Sequence, residues 1–474
     1  MTRDALPTAE PQDIVIFGGT GSLARLKLLP ALYDLAADNL LPSEGRVIGL
    51  ARTPMSDDAY RELARQAVLL YARNDFYEDV WQRVASRLCF VTLDEGGYAN
   101  LRARLTQKQR LVYLALPPSA FGSTVRALAA HDMVEGTRLL IEKPFGRDLQ
   151  SARALDKELR EVLDESQIFR IDHYLGKETV QNILVFRFGN SVFERVWNRD
   201  AIDHIEITVA ESDGVGNRGS FYEEVGAGRD VLQNHMLQIL SLLTMEPPSS
   251  FEAESIRDEK SKLLHAVRPL ESRHVVRGQY TAGRIEGQDV KAYREEPNVA
   301  SDSDVETFIA ARVLIDNWRW AGVPMYLRTG KRLPYKATEI EIGFRDVPRS
   351  YFPQTYSHEM QPNSLTLCIQ PEEEIGFTFL AKVPGPAIRV KPVNMSFSYD
   401  EAFSAEPAEA YQRLIHDAML GDQTLFVRAD SVERAWEIIQ PILEDPPPLH
   451  LYPAGTWGPK EADSLIAPLR WHLR

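Results

Sequence analysis

The feature that most constrains this 474-residue sequence is a glycine-rich turn close to its N-terminus. An apolar run at residues 14–17 precedes the turn, and a segment with helical periodicity follows it. The turn itself consists of Gly18, Gly19, Thr20, Gly21, Ser22 and Leu23. Glycines let a backbone bend tightly and approach a pyrophosphate, whose charge then lies at a helix N-terminus. The spacing is not the usual G-x-G-x-x-G, so a plain strand-to-helix turn is the alternative, but the context favours a dinucleotide-binding site.

The first part of the chain alternates short apolar runs with segments of helical period, as βαβ units do. We predict helices at residues 59–72, 119–130 and 150–163. We predict strands at residues 13–18, 46–51, 89–93, 110–116, 137–142 and 167–171. Nearly continuous apolar strands are typical of a parallel sheet that is covered on both faces. The sequence therefore predicts an α/β Rossmann-type domain, with a doubly wound parallel sheet, over residues 1–175.

Beyond residue 177 this alternation stops, and strands become grouped together. We predict helices at residues 178–188, 229–244, 408–420 and 430–439. We predict strands at residues 205–209, 313–317, 340–344, 365–369 and 375–380. Strands without regular helical crossovers are typical of antiparallel sheets. Residues 176–474 are therefore predicted to form a larger α+β domain with a mostly antiparallel sheet.

Charge and composition exclude several classes of protein. The net charge is −14 and the sequence pI about 5.3, which argues against binding to nucleic acid or to a membrane surface. No segment approaches the roughly 18 consecutive apolar residues that a membrane-spanning helix needs. Cys89 and Cys368 are far apart and lack a metal-ligand spacing, so we expect no metal and no disulfide framework. We expect a cytoplasmic protein.

The residue that follows the second predicted strand indicates which dinucleotide binds. An NAD site would have an Asp or Glu near this point for the ribose hydroxyls, whereas this chain has Arg52. A guanidinium is suited to the 2′-phosphate of NADP. An ordinary surface arginine is the alternative, but the missing acid and the added base together favour NADP. Lys27 is a further candidate cation on the helix after the turn.

Two segments carry candidate substrate-binding groups. Lys143 ends a predicted central strand, where ligands of open parallel sheets bind, although an incidental lysine in a turn is the alternative. At the predicted domain boundary, Asp172, His173, Tyr174 and Lys177 place four functional side chains within six residues. If a helical turn forms there, His173 and Lys177 share a face and suit a phosphate. The alternative is that these are scattered surface residues, but four functional side chains within six residues argue against it.

His235 is the candidate general base. It lies at the edge of an apolar stripe formed by Leu232, Met236 and Ile239 on a predicted helix. A histidine in this position is often only a core or rim residue. However, the unperturbed pKa of imidazole, about 6.5, suits proton abstraction from an alcohol near neutral pH. Asp172 is a candidate to orient the ring.

Taken together, these motifs resemble the glucose-6-phosphate dehydrogenase family over nearly the whole chain. Further matching segments lie at residues 114–118, 142–146, 256–260, 277–280, 316–324, 328–332 and 455–459. The resemblance implies that His235 takes the proton from the sugar's C1 hydroxyl and that Asp172 is its carboxylate partner. The hydride would pass to NADP, giving 6-phosphoglucono-lactone. The catalytic set is therefore expected to be His235, Asp172 and Lys143.

The resemblance also implies the binding residues and the assembly. The expected substrate contacts are Lys143, His173, Tyr174, Lys177, Glu211, Asp230, Lys331 and Lys336. The expected NADP contacts are Gly18, Gly19, Thr20, Gly21, Ser22, Leu23, Arg52 and Lys143. The implied partner is glucose 6-phosphate, and the implied assembly is a homodimer or homotetramer with the antiparallel sheet at the dimer interface. Ser22 departs from the family pattern, which usually has Asp there, and this change bears on the preference for NADP over NAD.

Two other functions remain open from the sequence. One is a sugar oxidoreductase of the glucose–fructose oxidoreductase or inositol dehydrogenase type, which shares the domain types but not the cluster at residues 170–178. The other is an inactive sensor of NADP or a sugar phosphate. An inactive sensor would be expected to lack the general base or its carboxylate partner. In this sequence Asp172, Lys143 and His235 are all present.

Overall fold

The structure, a computed structural model, describes residues 7–349, 362–403 and 409–472. Its residues divide into two compact units. The first unit contains the chain up to Glu178, together with residues 248–258 and 409–433. The second contains residues 179–247 and 434–472, and the described parts of 259–403. The sequence predicts a single domain boundary at residue 175. In the structure, two later segments, residues 248–258 and 409–433, also belong to the first unit.

The strands, numbered in chain order, supply the sheets of both units. They are β1 Asp13–Phe17, β2 Val47–Ala51, β3 Leu88–Thr92, β4 Arg110–Leu114, β5 Thr137–Ile141, β6 Ile168–Ile171, β7 Ile202–Ala210, β8 Val275–Thr281, β9 Gly283–Ile285, β10 Gln288–Val290, β11 Phe308–Val313, β12 Met325–Gly330, β13 Ala337–Phe344, β14 Ser364–Gln370, β15 Glu374–Lys382, β16 Val390–Ser398, β17 Phe426–Val427 and β18 Leu449–Pro453.

The helices are numbered in the same way. They are α1 Leu29–Ala37, α2 Asp57–Tyr71, α3 Glu78–Ala85, α4 Gly97–Arg104, α5 Phe121–Ala130, α6 Leu149–Arg160, α7 Glu178–Phe188, α8 Ser191–Val196, α9 Gly219–Ala227, α10 Leu237–Thr244, α11 Ala253–Ala266, α12 Tyr399–Phe403, α13 Ala410–Leu420, α14 Ala429–Glu444 and α15 Glu461–Ile466. Two π-helical segments, Ala24–Leu28 and Gly228–Met236, precede α1 and α10. Among the described residues, no helix is both long and apolar enough to cross a bilayer.

The sheet of the first unit confirms the predicted Rossmann-type fold. Its strand order is β3-β2-β1-β4-β5-β6-β17, and the first six strands pair in parallel. This is the order of a doubly wound dinucleotide-binding domain. The strands are almost wholly buried because helices cover both faces. The short strand β17 pairs antiparallel with β6 and thereby covers that edge of the sheet.

The sheet of the second unit is larger and mostly antiparallel, as predicted. Its order is β16-β15-β14-β13-β7-β12-β11-β8-β18, with parallel pairing only between β7 and β12 and between β8 and β18. The predicted strand at residues 313–317 is wrong as a continuous strand, because β11 ends at Val313 and Ile315 forms only an isolated β-bridge with Val267. The chain then turns at residues 317–320, where the Asn317 side chain accepts a hydrogen bond from the Trp320 backbone N–H (2.8 Å).

The C-terminus of α10 is anchored by buried side chains. The indole N–H groups of Trp197 and Trp320 donate to the carbonyls of Leu243 and Thr244, both at 2.7 Å. The Arg187 guanidinium donates to two further carbonyls in the same turn. Helix ends leave carbonyls without intrahelical partners, and these donors satisfy them. The π-helical segment Gly228–Met236, which carries His235, therefore continues into a helix whose C-terminus is fixed.

Candidate active site

The glycine turn after β1 has a backbone that only glycine accommodates well. Gly18 has φ +79°, and a Cβ on it would lie 2.2 Å from the Ala115 carbonyl oxygen. A Cβ on Gly19 would lie 2.8 Å from Gly49 Cα. The N–H groups of Gly18 and Gly19 both donate to the Leu50 carbonyl, at 2.8 and 2.9 Å. Gly18 and Gly19 therefore pack directly against the neighbouring strands. Thr20, Gly21 and Ser22 form the outer side of the turn.

The surroundings of this turn fit a phosphorylated dinucleotide. Gly21 and Ser22 are exposed where the following helix begins, and Leu23 is half-buried. Arg52 is exposed directly after β2, the strand next to β1. The arrangement supplies backbone N–H groups for a pyrophosphate and a guanidinium for a further phosphate. The other candidate cation, Lys27, forms an ion pair with Glu409 (2.9 Å).

The loop after β5 carries Lys143 next to a half-buried carboxyl group, that of Glu142. Lys143 is half-buried, and the preceding Glu142 accepts a hydrogen bond from Tyr113 Oη at 2.5 Å. Burial raises the pKa of the Tyr411 phenol from α13, and the Glu142 charge adds to the rise. Burial also raises the pKa of Glu142, while its interactions with the two phenols and the Lys143 charge oppose the rise. The Asp172 carboxylate, which follows the adjacent strand β6, raises the pKa of Glu142 further.

The segment after β6 forms tight turns rather than the helical turn considered from sequence. The N–H groups of residues 175, 176 and 177 donate to the carbonyls three residues earlier. Asp172 Oδ1 accepts from the Tyr174 N–H (3.0 Å), which orients the buried carboxylate. Lys177 Nζ lies 5.1 Å from the centre of the Tyr174 ring, and His173 and Lys177 are half-buried. The turns bring imidazole, phenol and ammonium together in the first unit.

In the second unit the parallel pair β7 and β12 brings two predicted substrate-binding residues together. Glu211 follows β7 and Lys331 follows β12, and their side chains form an ion pair. Lys331 is 3% exposed, and its Nζ lies 5.1 Å from the Tyr222 ring centre. Lys336, just before β13, is exposed and does not share this buried setting. The pair leaves a partly exposed carboxylate next to a buried ammonium.

Asp230 and His235 lie on the π-helical segment of the second unit. Burial raises the pKa of Tyr222 well above its usual value, and the charges of Asp230 and Glu211 add to the rise. These two carboxylates therefore act on the same phenol. His235 is 2% exposed, and its backbone N–H donates to the Asn234 side chain (2.6 Å).

Three tyrosines at these sites were not predicted from sequence. Tyr113 donates a hydrogen bond to Glu142, Tyr411 lies near that carboxylate, and Tyr222 lies against Lys331. Tyr113 lies within an apolar strand, and Tyr411 and Tyr222 lie in helices of ordinary composition. No motif marks them, because their partners lie far away in the sequence.

Comparisons with known proteins agree over the whole chain. A model of the glucose-6-phosphate dehydrogenase NAD binding domain matches residues 15–182, and one of the C-terminal domain of that enzyme matches residues 184–472. A glucose-6-phosphate 1-dehydrogenase from Mycolicibacterium smegmatis is 46% identical, with 100% of this chain and 99% of the relative covered.

Two solved structures have the same fold and coverage. The glucose-6-phosphate 1-dehydrogenase from Mycobacterium avium superposes with a TM-score of 0.87 at 39% identity, with 98% of this chain and 99% of that chain covered. A glucose-6-phosphate dehydrogenase in complex with its substrate glucose-6-phosphate gives a TM-score of 0.90 at 35% identity, with 99% and 100% covered.

Proposed function

Because this chain belongs to the glucose-6-phosphate dehydrogenase family, we propose that His235, Asp172 and Lys143 carry out the family's reaction here. The protein is an oxidoreductase that oxidises D-glucose 6-phosphate at C1 to 6-phospho-D-glucono-1,5-lactone, with NADP as the cofactor. This reaction is the first oxidative step of the pentose phosphate pathway. The observation that carries the proposed roles is that a full-length family match coincides with ionisable groups at the three expected catalytic positions, two of which, Asp172 and His235, are buried.

The proposed chemistry at C1 is a proton removal that accompanies hydride loss. When bound, NADP supplies the nicotinamide carbon that accepts the hydride. His235 takes the proton of the C1 hydroxyl, because an alkoxide-like oxygen is needed to expel the hydride. Asp172, held by the Tyr174 backbone N–H, is the carboxylate that orients the imidazole. Lys143 donates a hydrogen bond to the substrate beside the nicotinamide.

The other roles concern binding. His173, Tyr174 and Lys177 hold the phosphate of the substrate, supported by their grouping in the turns after β6. Glu211, Asp230, Lys331 and Lys336 contact the sugar, and the Lys331–Glu211 ion pair keeps two of these groups in place. The residues from Gly18 to Leu23, with Arg52 and Lys143, hold NADP.

A single spectrophotometric assay tests the proposed function against its alternatives. NADPH formation is followed at 340 nm, a property of the cofactor, with glucose 6-phosphate, glucose and inositol offered separately. We expect rapid reduction with glucose 6-phosphate alone. Faster turnover of glucose or inositol would favour a sugar oxidoreductase of the other type, and binding without any turnover would favour a sensor.

The preference for NADP is expected to depend on Arg52. Replacing Arg52 with alanine should raise the KM for NADP by about tenfold to a hundredfold, since a hydrogen bond to a charged group contributes about 1.5–3 kcal/mol. The KM for NAD should change little, because NAD has no 2′-phosphate. Steady-state kinetics with both cofactors measure this. Equal losses with the two cofactors would remove Arg52 from this role.

We also propose a cytoplasmic location and a homodimeric or homotetrameric assembly. Cys89 and Cys368 are both buried free thiols, which suits a reducing compartment.

The support for the proposed assembly comes from the edge strand β16. It exposes Val393, Met395 and Phe397 at alternate positions, so one face of this edge is apolar. Analytical ultracentrifugation should give a sedimentation coefficient above that of a monomer.

A further inference from the structure

The backbone directly after Lys331 takes a conformation that residues with a side chain rarely adopt. Arg332, which follows Lys331, has φ +54°. A left-handed conformation is strained for a residue with a Cβ, and it persists only where the surrounding structure holds it. Residues of this kind concentrate at binding and catalytic sites. The contacts that hold Arg332 in this conformation therefore also act on Lys331, a proposed contact of the sugar.

The peptide group between Lys331 and Arg332 is held at both of its polar atoms. The Tyr452 hydroxyl, from β18, donates a hydrogen bond to the Lys331 carbonyl oxygen (2.6 Å). The Arg332 N–H donates to the Asp213 carbonyl oxygen (3.2 Å). A peptide group is rigid, so a flip that returned φ of Arg332 to a negative value would turn both atoms away from these partners. The two hydrogen bonds therefore hold the strained conformation.

The neighbours of the Tyr452 hydroxyl fix the direction of its hydrogen bonds. Tyr452 is 1% exposed, and its Oη lies 3.2 Å from Thr307 Oγ1 and 3.5 Å from the Thr307 carbonyl oxygen. Its single proton goes to the closer Lys331 carbonyl, so the Thr307 hydroxyl donates to the phenol. Thr307 Oγ1 in turn accepts from the Tyr280 N–H (3.0 Å). The Thr307 carbonyl accepts from the Lys331 N–H (2.9 Å), so Lys331 is bound at both its N–H and its C=O.

The same backbone segment lies beside Glu211, the partner of Lys331 in the ion pair. The Glu211 N–H donates to the Gly330 carbonyl (3.0 Å), and the hydrogen bond from Arg332 to Asp213 joins the two segments again further along. The side chains of Lys331 and Glu211 form their ion pair between these two backbone contacts. A flip of the peptide after Lys331 would break the second contact. The position of the ammonium group relative to Glu211 would then no longer be fixed by the backbone.

We propose that Tyr452 is a positioning residue for Lys331. Its hydroxyl fixes the peptide group between Lys331 and Arg332, and this keeps Lys331 opposite Glu211 for binding of the sugar. The inference rests on the proposed roles of Lys331 and Glu211 as substrate contacts. Tyr452 touches neither substrate nor cofactor in this scheme, and it acts through the backbone of Lys331.

Replacing Tyr452 with phenylalanine in the full-length protein removes the hydroxyl and keeps the ring. Tyr452→Phe should raise the KM for glucose 6-phosphate by about tenfold, the effect of one buried hydrogen bond. The value of kcat should stay near that of the wild type, because loss of binding that is equal in the ground and transition states raises KM alone. The KM for NADP should not change, since other residues hold NADP. Steady-state kinetics measure all three quantities.

A pair of substitutions at Arg332 tests the orientation of the peptide group without altering Tyr452. Both Arg332→Val and Arg332→Asn remove the guanidinium, which lies 3.6 Å from the Glu296 carboxylate. Asparagine tolerates a positive φ, whereas a β-branched valine does not. The KM for glucose 6-phosphate should therefore be at least about fivefold higher for Arg332→Val than for Arg332→Asn, the lower end of what a strained backbone costs.

A matched control and a double-variant cycle separate positioning from general stability. Tyr293 is a fully buried tyrosine of the same hydrophobic core, and its hydroxyl donates to the Glu223 carboxylate. Tyr293→Phe should lower Tm without changing the KM for either substrate. In a Lys331→Met background, Tyr452→Phe should change the KM for glucose 6-phosphate by no more than about twofold, because the residue that it positions has lost its charge.

The inference fails if Tyr452→Phe behaves like Tyr293→Phe, or if its tenfold effect persists in the Lys331→Met background. If Tyr452→Phe does not fold, the two Arg332 variants decide, and equal KM values for glucose 6-phosphate in both would overturn the inference. Lys331→Met and Glu211→Gln are also assayed alone. Wild-type kinetics for these two would refute their proposed roles in sugar binding, and the inference with them.

Discussion

Replacing His235 with asparagine should lower turnover by about 10²–10⁴-fold, the usual contribution of a general base. Asparagine preserves the size of the side chain and some of its hydrogen bonding, but it cannot accept the hydroxyl proton. The binding of glucose 6-phosphate and NADP should stay nearly normal, since His235 is proposed to act on the reacting hydroxyl alone. Steady-state kinetics and calorimetric titration together measure both quantities. The acid-side limb of the wild-type pH profile should disappear in this variant.

Two further variants calibrate this result. His265→Asn removes an exposed histidine from α11 in the second unit, and it should retain wild-type turnover. Asp172→Asn should reduce turnover less than His235→Asn, because the carboxylate orients and polarises the imidazole and does not accept the proton. If His235→Asn kept more than about a tenth of wild-type turnover, the assignment would be wrong for a general base. Lys143 would then be the next candidate.

The double variant His173→Asn/Lys177→Ala should lose about 10²–10⁴-fold in kcat/KM for glucose 6-phosphate. Each side chain is proposed to contact the charged phosphate, and one such contact contributes about 1.5–3 kcal/mol. Turnover of free glucose, which has no phosphate, should change far less, and the KM for NADP should be unaffected. The ratio of kcat/KM for the two sugars is therefore the quantity to measure.

An exposed lysine on α6 of the same unit supplies the control for charge loss. Lys157→Ala removes one positive charge without touching the turns after β6, and it should leave the sugar ratio unchanged. If the double variant lost the same factor with both sugars, the phosphate site would have to lie elsewhere.

The first unit was the more predictable part of the fold, because buried parallel strands are continuous apolar runs. Each of the six predicted strands there overlaps an observed strand, β1 to β6. In the second unit, some strands are not apolar runs although they are largely buried: β8 and β12 each contain an arginine, a glycine and a threonine. The strands β8, β12, β16 and β18 were not predicted, and β18 pairs in parallel with β8, which lies far away in the sequence.

The candidate site was predictable where its residues are close together in sequence. The cluster from Asp172 to Lys177 is a local motif, and the structure brings its side chains together. The π-helical winding around His235 was not predictable, because an apolar stripe at residues 232–243 fits an ordinary α-helix. Tyr411 was missed for a different reason, since only the tertiary fold brings it to Glu142.

The late segment at residues 409–433 has a consequence for biosynthesis. It contributes β17, α13 and Tyr411 to the first unit, yet it emerges from the ribosome after most of the second unit. At about 5–20 residues per second, translation from Glu178 to Glu433 takes on the order of tens of seconds. During that interval nascent β6 has an open edge, which is a template for aberrant pairing. The nucleotide-binding half is thus begun first and completed late, and a fragment cut after Glu178 would be an unfinished domain.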